Sequence, residues 1–111
     1  MSFSEQTEKL TQDLIQAEYE NACEQFGEKF NSLHVGYAVL LEEVEEVEKE
    51  MSFVKDELCR LWTFIKGTRS EGWIKTSVED LIKNNENAIK ELAQVGAVLM
   101  KIKNTIGEVE E

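Results

Sequence analysis

Leu33, Tyr37, Leu40, Val44, Val47, Met51, Val54, Leu58, Leu61 and Ile65 follow one another in alternating steps of four and three. An α-helix places such residues on one stripe, because about 3.6 residues complete a turn. Val78, Leu81, Asn85, Ala88, Leu92, Val95, Leu99, Ile102, Ile106 and Val109 repeat the alternation, and only Asn85 is polar. A lone Asn in such a seam fixes register or partner number. No proline interrupts either run, so both can be long helices. Ser32 can cap the start of the first seam and Gly67 can end it. Thr76 with Glu79, or Ser77 with Asp80, is a capping box for the second. "GTRSEGW", 67 to 73, reads as the loop between them.

A shorter segment, about residues 5 to 26, carries Leu10, Leu14, Ile15, Tyr19, Ala22 and Phe26 at helical spacing, with Ser4 as its N-cap. Gly27 and Asn31 then break the pattern. No stretch alternates strictly, as a half-buried strand would. The expected fold is all-α, an antiparallel helical bundle with long helices. At 111 residues it is a single domain, 1–111. An unbroken helix from 33 to 66 would run ~50 Å, whereas a compact chain of this size has a radius of gyration of only ~13 Å. The helix therefore bends near Met51 and Ser52, or its far end packs on another subunit. Leaving either seam in water would expose a large apolar patch, so the expected state is an oligomer, most simply a dimer.

Charge narrows the function. The chain has 12 Lys and Arg against 23 Asp and Glu, a net charge of −11. It repels the phosphate backbone, which argues against a nucleic-acid partner. A small anionic ligand would need a divalent cation to bridge it. Cys23 and Cys59 give neither a metal-ligand pattern nor a disulfide framework and read as buried free thiols. "MSFSEQTEKL" lacks an apolar signal core, and no apolar run approaches the ~20 residues that span a bilayer. A cytoplasmic protein without a membrane partner is expected.

The acidic run after Tyr37 poses the functional question. With Tyr37, Val44 and Met51 as heptad a, and Leu40 and Val47 as d, Glu43 and Glu50 are g, Glu46 is c, Glu42 is f and Glu45 is b. Gly36, Val39, Glu43, Glu46 and Glu50 then line a stripe beside the apolar seam. Glu43 and Glu46 are i, i+3 neighbours, roughly 5–6 Å apart at Cβ. Like charges so close repel, and a hard divalent cation removes that repulsion. Mg²⁺ accepts one or two carboxylates, completing its shell with water and substrate phosphates. In the last segment, with Leu92 as a, Glu91 is g and Gln94 is c, and Asp80, Asn84 and Asn87 extend the same stripe. Two opposed stripes would form a polar seam. The alternative is a solvated acidic face, which such strings commonly form on coiled coils.

"FNSLHVGYAVLLEEVEEV", 30 to 47, and "KELAQVGAVLMKI", 90 to 102, resemble the two motif regions of the MazG-like nucleotide pyrophosphohydrolases, in particular small phage-type members. That resemblance implies Mg²⁺-dependent hydrolysis of a nucleoside triphosphate (NTP or dNTP) to monophosphate and pyrophosphate. It also implies a homo-oligomer, a dimer or tetramer of helical bundles. The family carries E-E-x-x-E on one helix and E-x-x-D on another. Glu42, Glu43 and Glu46 match the first, and Glu91 matches the Glu of the second. Glu43, Glu46, Glu91 and Gln94 are the implied metal ligands, with Glu42 as ligand or base.

Gln94 stands where the family has Asp, Val35 stands where phage-type relatives have Glu, and the interval from Glu46 to Glu91 is longer than in the family. A carboxamide can ligate a cation but adds no charge, so the resemblance implies a weakened enzyme. A second reading is a non-catalytic helical oligomer of the same fold that binds a nucleotide or a protein partner. His34, the single histidine, reads as a surface residue near the first seam's start. Trp62, Phe64 and Trp73 flank the loop and suit a core, an interface or a nucleobase stack.

Overall fold

The computed structural model describes residues 2–67 and 70–109, excepting the side chains of 108 and 109. Three helices account for nearly all of it: α1 (Phe3–Phe26), α2 (Leu33–Lys66) and α3 (Glu71–Val109). No strand occurs among the described residues, and the fold is an all-α bundle.

The helix boundaries differ from expectation at two starts. α1 is capped by Ser2, not Ser4. Ser2 Oγ accepts from the Glu5 N–H at 3.2 Å, and Ser2 N–H donates to Glu5 Oε2 at 3.1 Å. Glu5 completes this reciprocal box three residues after Ser2, whereas three residues after Ser4 stands Thr7. α1 stops at Gly27, whose φ of 87° suits a residue without Cβ and whose N–H reaches Cys23 O at 2.9 Å. α2 begins as expected, with Ser32 Oγ accepting from the Val35 N–H at 3.2 Å. It ends at Gly67, whose N–H donates to Thr63 O at 3.0 Å, and it is one helix through Met51 and Ser52. α3 starts at Glu71, earlier than either expected box, where Ser70 O accepts from Trp73 and Ile74. Thr76 and Ser77 therefore lie inside the helix. Their hydroxyls are engaged elsewhere, Thr76 with Gly72 O at 3.0 Å and Ser77 with Glu57 Oε2 at 3.0 Å. Of the expected loop, Thr68 and Arg69 lie outside the described residues.

The chain divides into two compact units, one of Met1–Val44 with Leu92–Glu111, the other of Glu45–Glu91. In the second, α2 and α3 run antiparallel. Ser77 meets Glu57, and Phe64 meets Trp73 edge to face with ring centroids 5.4 Å apart. Glu57 is only 8% exposed, and its second oxygen accepts from Arg60 Nη1 at 3.3 Å. A buried carboxylate is tolerated because both oxygens are hydrogen-bonded.

In the first unit, α1 lies against the second half of α3. Ile15 sits over Gly96, and Asn104 Nδ2 donates to Tyr19 Oη. A hydrogen bond to Cys23, together with burial, holds the Tyr19 hydroxyl above its ordinary pKa, while the Asn104 donor acts in the opposite sense. The segment between α1 and α2 is pinned by Phe30, whose N–H donates to Thr105 Oγ1 at 3.0 Å. Gly36 makes room for that ring, since a Cβ there would stand 3.0 Å from Phe30 Cδ2.

A Cβ at position 96 would meet Ile15 at 2.9, 3.0 and 3.1 Å from Cγ2, Cγ1 and Cδ1. Relief requires Ile15 to leave its preferred χ1 rotamer or α1 to shift. Gly96→Ala gains about 1 kcal/mol of helix propensity, against an overpacking cost of about 1–3 kcal/mol. The expected result is net destabilisation, read as a lower melting temperature. A rise would mean that α1 seats loosely.

The seams are used differently from expectation. Along α2, the d residues Val47, Val54 and Leu61 are half-buried, as are Glu50 and Phe64 at g, and Glu57 at g is buried. The a residues stay exposed: Tyr37, Val44, Met51, Leu58 and Ile65. On α3, Val78, Leu92, Leu99 and Ile106 at a are likewise exposed. Each helix thus turns d and g inward and leaves a outward. The buried apolar residues among those described are Ala88, Ala93 and Ala97. The expected burial of the thiols does not hold either. Cys59 is exposed and Cys23 half-buried, because Cys59 lies at b on the outer side of α2 and α1 has no buried residue.

Candidate functional site

A cavity of about 530 Å³ lies in the first unit, between α1, the start of α2 and the second half of α3. Glu43 from α2 and Gln94 from α3 both line it. Both are half-buried, as the stripe beside the seam requires. α1 contributes Glu18, Asn21 and Gln25, at i, i+3 and i+7 along one face. Lys101, one heptad beyond Gln94, closes the α3 side and is 8% exposed. Its ammonium lies 4.4 Å from the centroid of the Phe30 ring.

The other expected site residues fall elsewhere. Glu42, in the first unit, is exposed, in keeping with its f position. Glu46 and Glu91 belong to the second unit, Glu46 exposed and Glu91 half-buried. Glu50, one heptad after Glu43, holds Oε2 buried without a hydrogen-bond partner among the described residues. The structure thus brings two of the expected ligands, Glu43 and Gln94, to one cavity. It adds Glu18, Asn21, Gln25 and Lys101, which sequence reasoning had not singled out. The signal for the α1 residues was their spacing beside Ile15 and Ala22. For Lys101 it was the c position that it shares with Gln94.

The donor set decides which cation could fit. No group of three or more His, Cys, Asp and Glu among the described residues could hold a metal ion. The described residues therefore do not supply a whole cage by themselves. Glu43, Glu18 and the Gln94 carboxamide are oxygen donors, which suit a hard cation. Mg²⁺ commonly takes one or two carboxylates and completes its shell with water and substrate phosphates. The residues fit Mg²⁺ in that partial sense, with the ligand supplying the rest.

The remaining candidates are less concentrated. His34 is exposed on the first turn of α2. Trp62 is 58% exposed, with the Lys66 ammonium 5.8 Å from its ring centroid. Phe64 and Trp73 wall a second cavity of about 520 Å³ in the second unit, whose polar lining includes Glu57 and Arg60. Those two charges are already paired with each other. No helix among the described residues is long and apolar enough to cross a membrane. No protein-family model, curated protein or solved structure matches this chain.

Proposed function

We propose that this chain is a Mg²⁺-dependent nucleoside triphosphate pyrophosphohydrolase, MazG-like in kind and weakened by Gln94, working as a homo-oligomer. The observation that carries the proposal is the meeting of Glu43 and Gln94, from separate motif regions, in one cavity with a lysine and several amides. Its volume of about 530 Å³ falls in the ~300–1,000 Å³ range of small-molecule sites.

Glu43 and Gln94 would hold the cation, with Glu18 as the other carboxylate of the cavity. Glu46 and Glu91 are further ligands by resemblance alone. The chemistry that Mg²⁺ would supply when held there is Lewis-acid stabilisation of charge on the phosphates. Glu42, exposed at f, is ligand or base by resemblance, and its exposure would give an attacking water access. Asn21 and Gln25 offer amide donors that orient the ligand. The a-face argues for a second copy. No a residue of α2, and none of α3 from Val78 to Ile106, is charged, so two copies of net charge −11 can meet there without opposing like charges.

A second reading is favoured by the sparse donor set. With no cluster of three acidic, His or Cys groups among the described residues, the site could bind a nucleotide without turning it over. Pyrophosphate release across the common nucleotides separates the two. Stabilisation by Mg²⁺ and a non-hydrolysable nucleotide without release would favour the second reading. Gln94→Asp sharpens the test. It adds a charge where the cation sits, so Mg²⁺ affinity and pyrophosphate release should rise. Without metal it should lower the melting temperature, because another carboxylate then joins Glu43 and Glu18. Identical melting with and without Mg²⁺ would mean that residue 94 does not serve a cation.

A further inference from the structure

We infer that Lys101 makes the cavity of the first unit an oxyanion site, in which its ammonium receives a phosphate group directly and without a cation between them. This deepens the proposed function and rests on it only for the identity of the natural ligand.

The starting point is a lysine in an unusual place. Lys101 is 8% exposed in a chain whose acids outnumber its bases 23 to 12. A buried ammonium ordinarily requires a paired carboxylate. Among the described residues no carboxylate forms an ion pair with Lys101, although Glu18 and Glu43 line the same cavity. A lysine that merely covers apolar surface carries its head out to water. Lys101 instead lines the cavity, and the Phe30 ring is set against its ammonium.

That setting is built, not incidental. Phe30 N–H donates to Thr105 Oγ1 at 3.0 Å, and the same hydroxyl donates to Lys101 O at 2.9 Å. Thr105 is 4% exposed and so ties the ring to the lysine's own turn. Gly36 leaves space for the ring, as a Cβ there would lie 3.0 Å from it. A ring face attracts the cation and holds it in place but leaves its charge uncompensated. The ammonium keeps donors for a ligand, and Asn21 and Gln25 bring amides to the same space. The ligand class that meets one buried ammonium and nearby amides is a tetrahedral oxyanion, a phosphate or the end of a pyrophosphate. Glu18 and Glu43 oppose it, so Mg²⁺ should tighten binding without being required.

The test is calorimetric titration of the whole chain with inorganic pyrophosphate in EDTA, at matched ionic strength, beside Lys101→Met and Lys101→Arg. Lys101→Met keeps the stem and removes the charge. It should weaken pyrophosphate binding roughly tenfold or more, as loss of a direct charge contact does, while Lys101→Arg should retain it. If Lys101→Met fails to fold, the ammonium resonance of Lys101 in the parent, assigned with Lys101→Arg, should shift on adding pyrophosphate. Absence of binding by the parent, equal binding by Lys101→Met, or an unmoved resonance would each overturn the inference. Binding in EDTA with no turnover of any nucleotide would sink the hydrolase reading and leave this one standing. Turnover with pyrophosphate affinity and KM unchanged in Lys101→Met would do the reverse.

Discussion

Glu43→Gln is expected to remove Mg²⁺-dependent pyrophosphate release while the helices persist. The substitution keeps shape and hydrogen-bonding reach and deletes one charge. Outer partners of metal ligands already cost about 10–100-fold when replaced, so a ligand carboxylate should cost at least roughly a hundredfold in kcat/KM. The fold should persist without metal, because glutamine keeps the length of the side chain and its capacity to hydrogen-bond. Stabilisation by Mg²⁺ should vanish. Glu45→Gln is the control. Glu45 is exposed at b and lines no described cavity, so neither turnover nor the Mg²⁺-dependent melting shift should change. Equal losses in both variants would mean that the cation responds to bulk negative charge. The acidic run would then be a solvated face, and the catalytic reading would fall.

The long helices were legible because their signal is periodic and repeated over many turns. Leu33 to Ile65 alternates without a miss, and α2 spans Leu33–Lys66. Caps were less legible, because several hydroxyls compete for each start. Ser2 prevailed over Ser4 through Glu5, and Ser77 was claimed by Glu57 on another helix, which no local pattern announces. The choice of inward face was hidden for a different reason. A heptad seam marks residues that avoid water but does not say whether the same chain or another covers them. Here g shares the interior with d, because Gly36, Glu57 and Ser77 at g are small or hydrogen-bonded and allow close approach. Glu43 and Gln94 were readable as stripe residues, and they share a cavity. Lys101 was not, since a lysine on a charged helix reads as surface until Phe30 and Thr105 are seen around it.

Leu58→Glu and Leu99→Glu, one in each unit, should each break the oligomer. Both residues lie at a, 51% and 49% exposed in the single chain. Burying a leucine contributes about 1.5–3 kcal/mol, and a two-fold contact counts each substitution twice. About half of each leucine is already covered in the single chain, so the loss is about 1.5–3 kcal/mol per dimer, which corresponds to roughly 10–10² in Kd. Light scattering at micromolar concentration should therefore give more than 12.8 kDa for the parent and 12.8 kDa, or an unfolded chain, for the variants. Val35→Glu is the control that separates seam from surface. Val35 is 45% exposed, close to the other two, but lies at f, off the seam. Its variant should keep the parent's mass. Salt provides an independent reading. Two copies of net charge −11 repel through their rims, and screening shortens that repulsion, so the oligomer should tighten as ionic strength rises. A contact built on ion pairs would loosen instead. A parent that scatters as 12.8 kDa at both low and high salt would refute the seam as a contact between copies. The single chain, whose buried apolar residues among those described are Ala88, Ala93 and Ala97, would then have to be stable with its a-face in water, against the rule that large exposed apolar patches mark contacts.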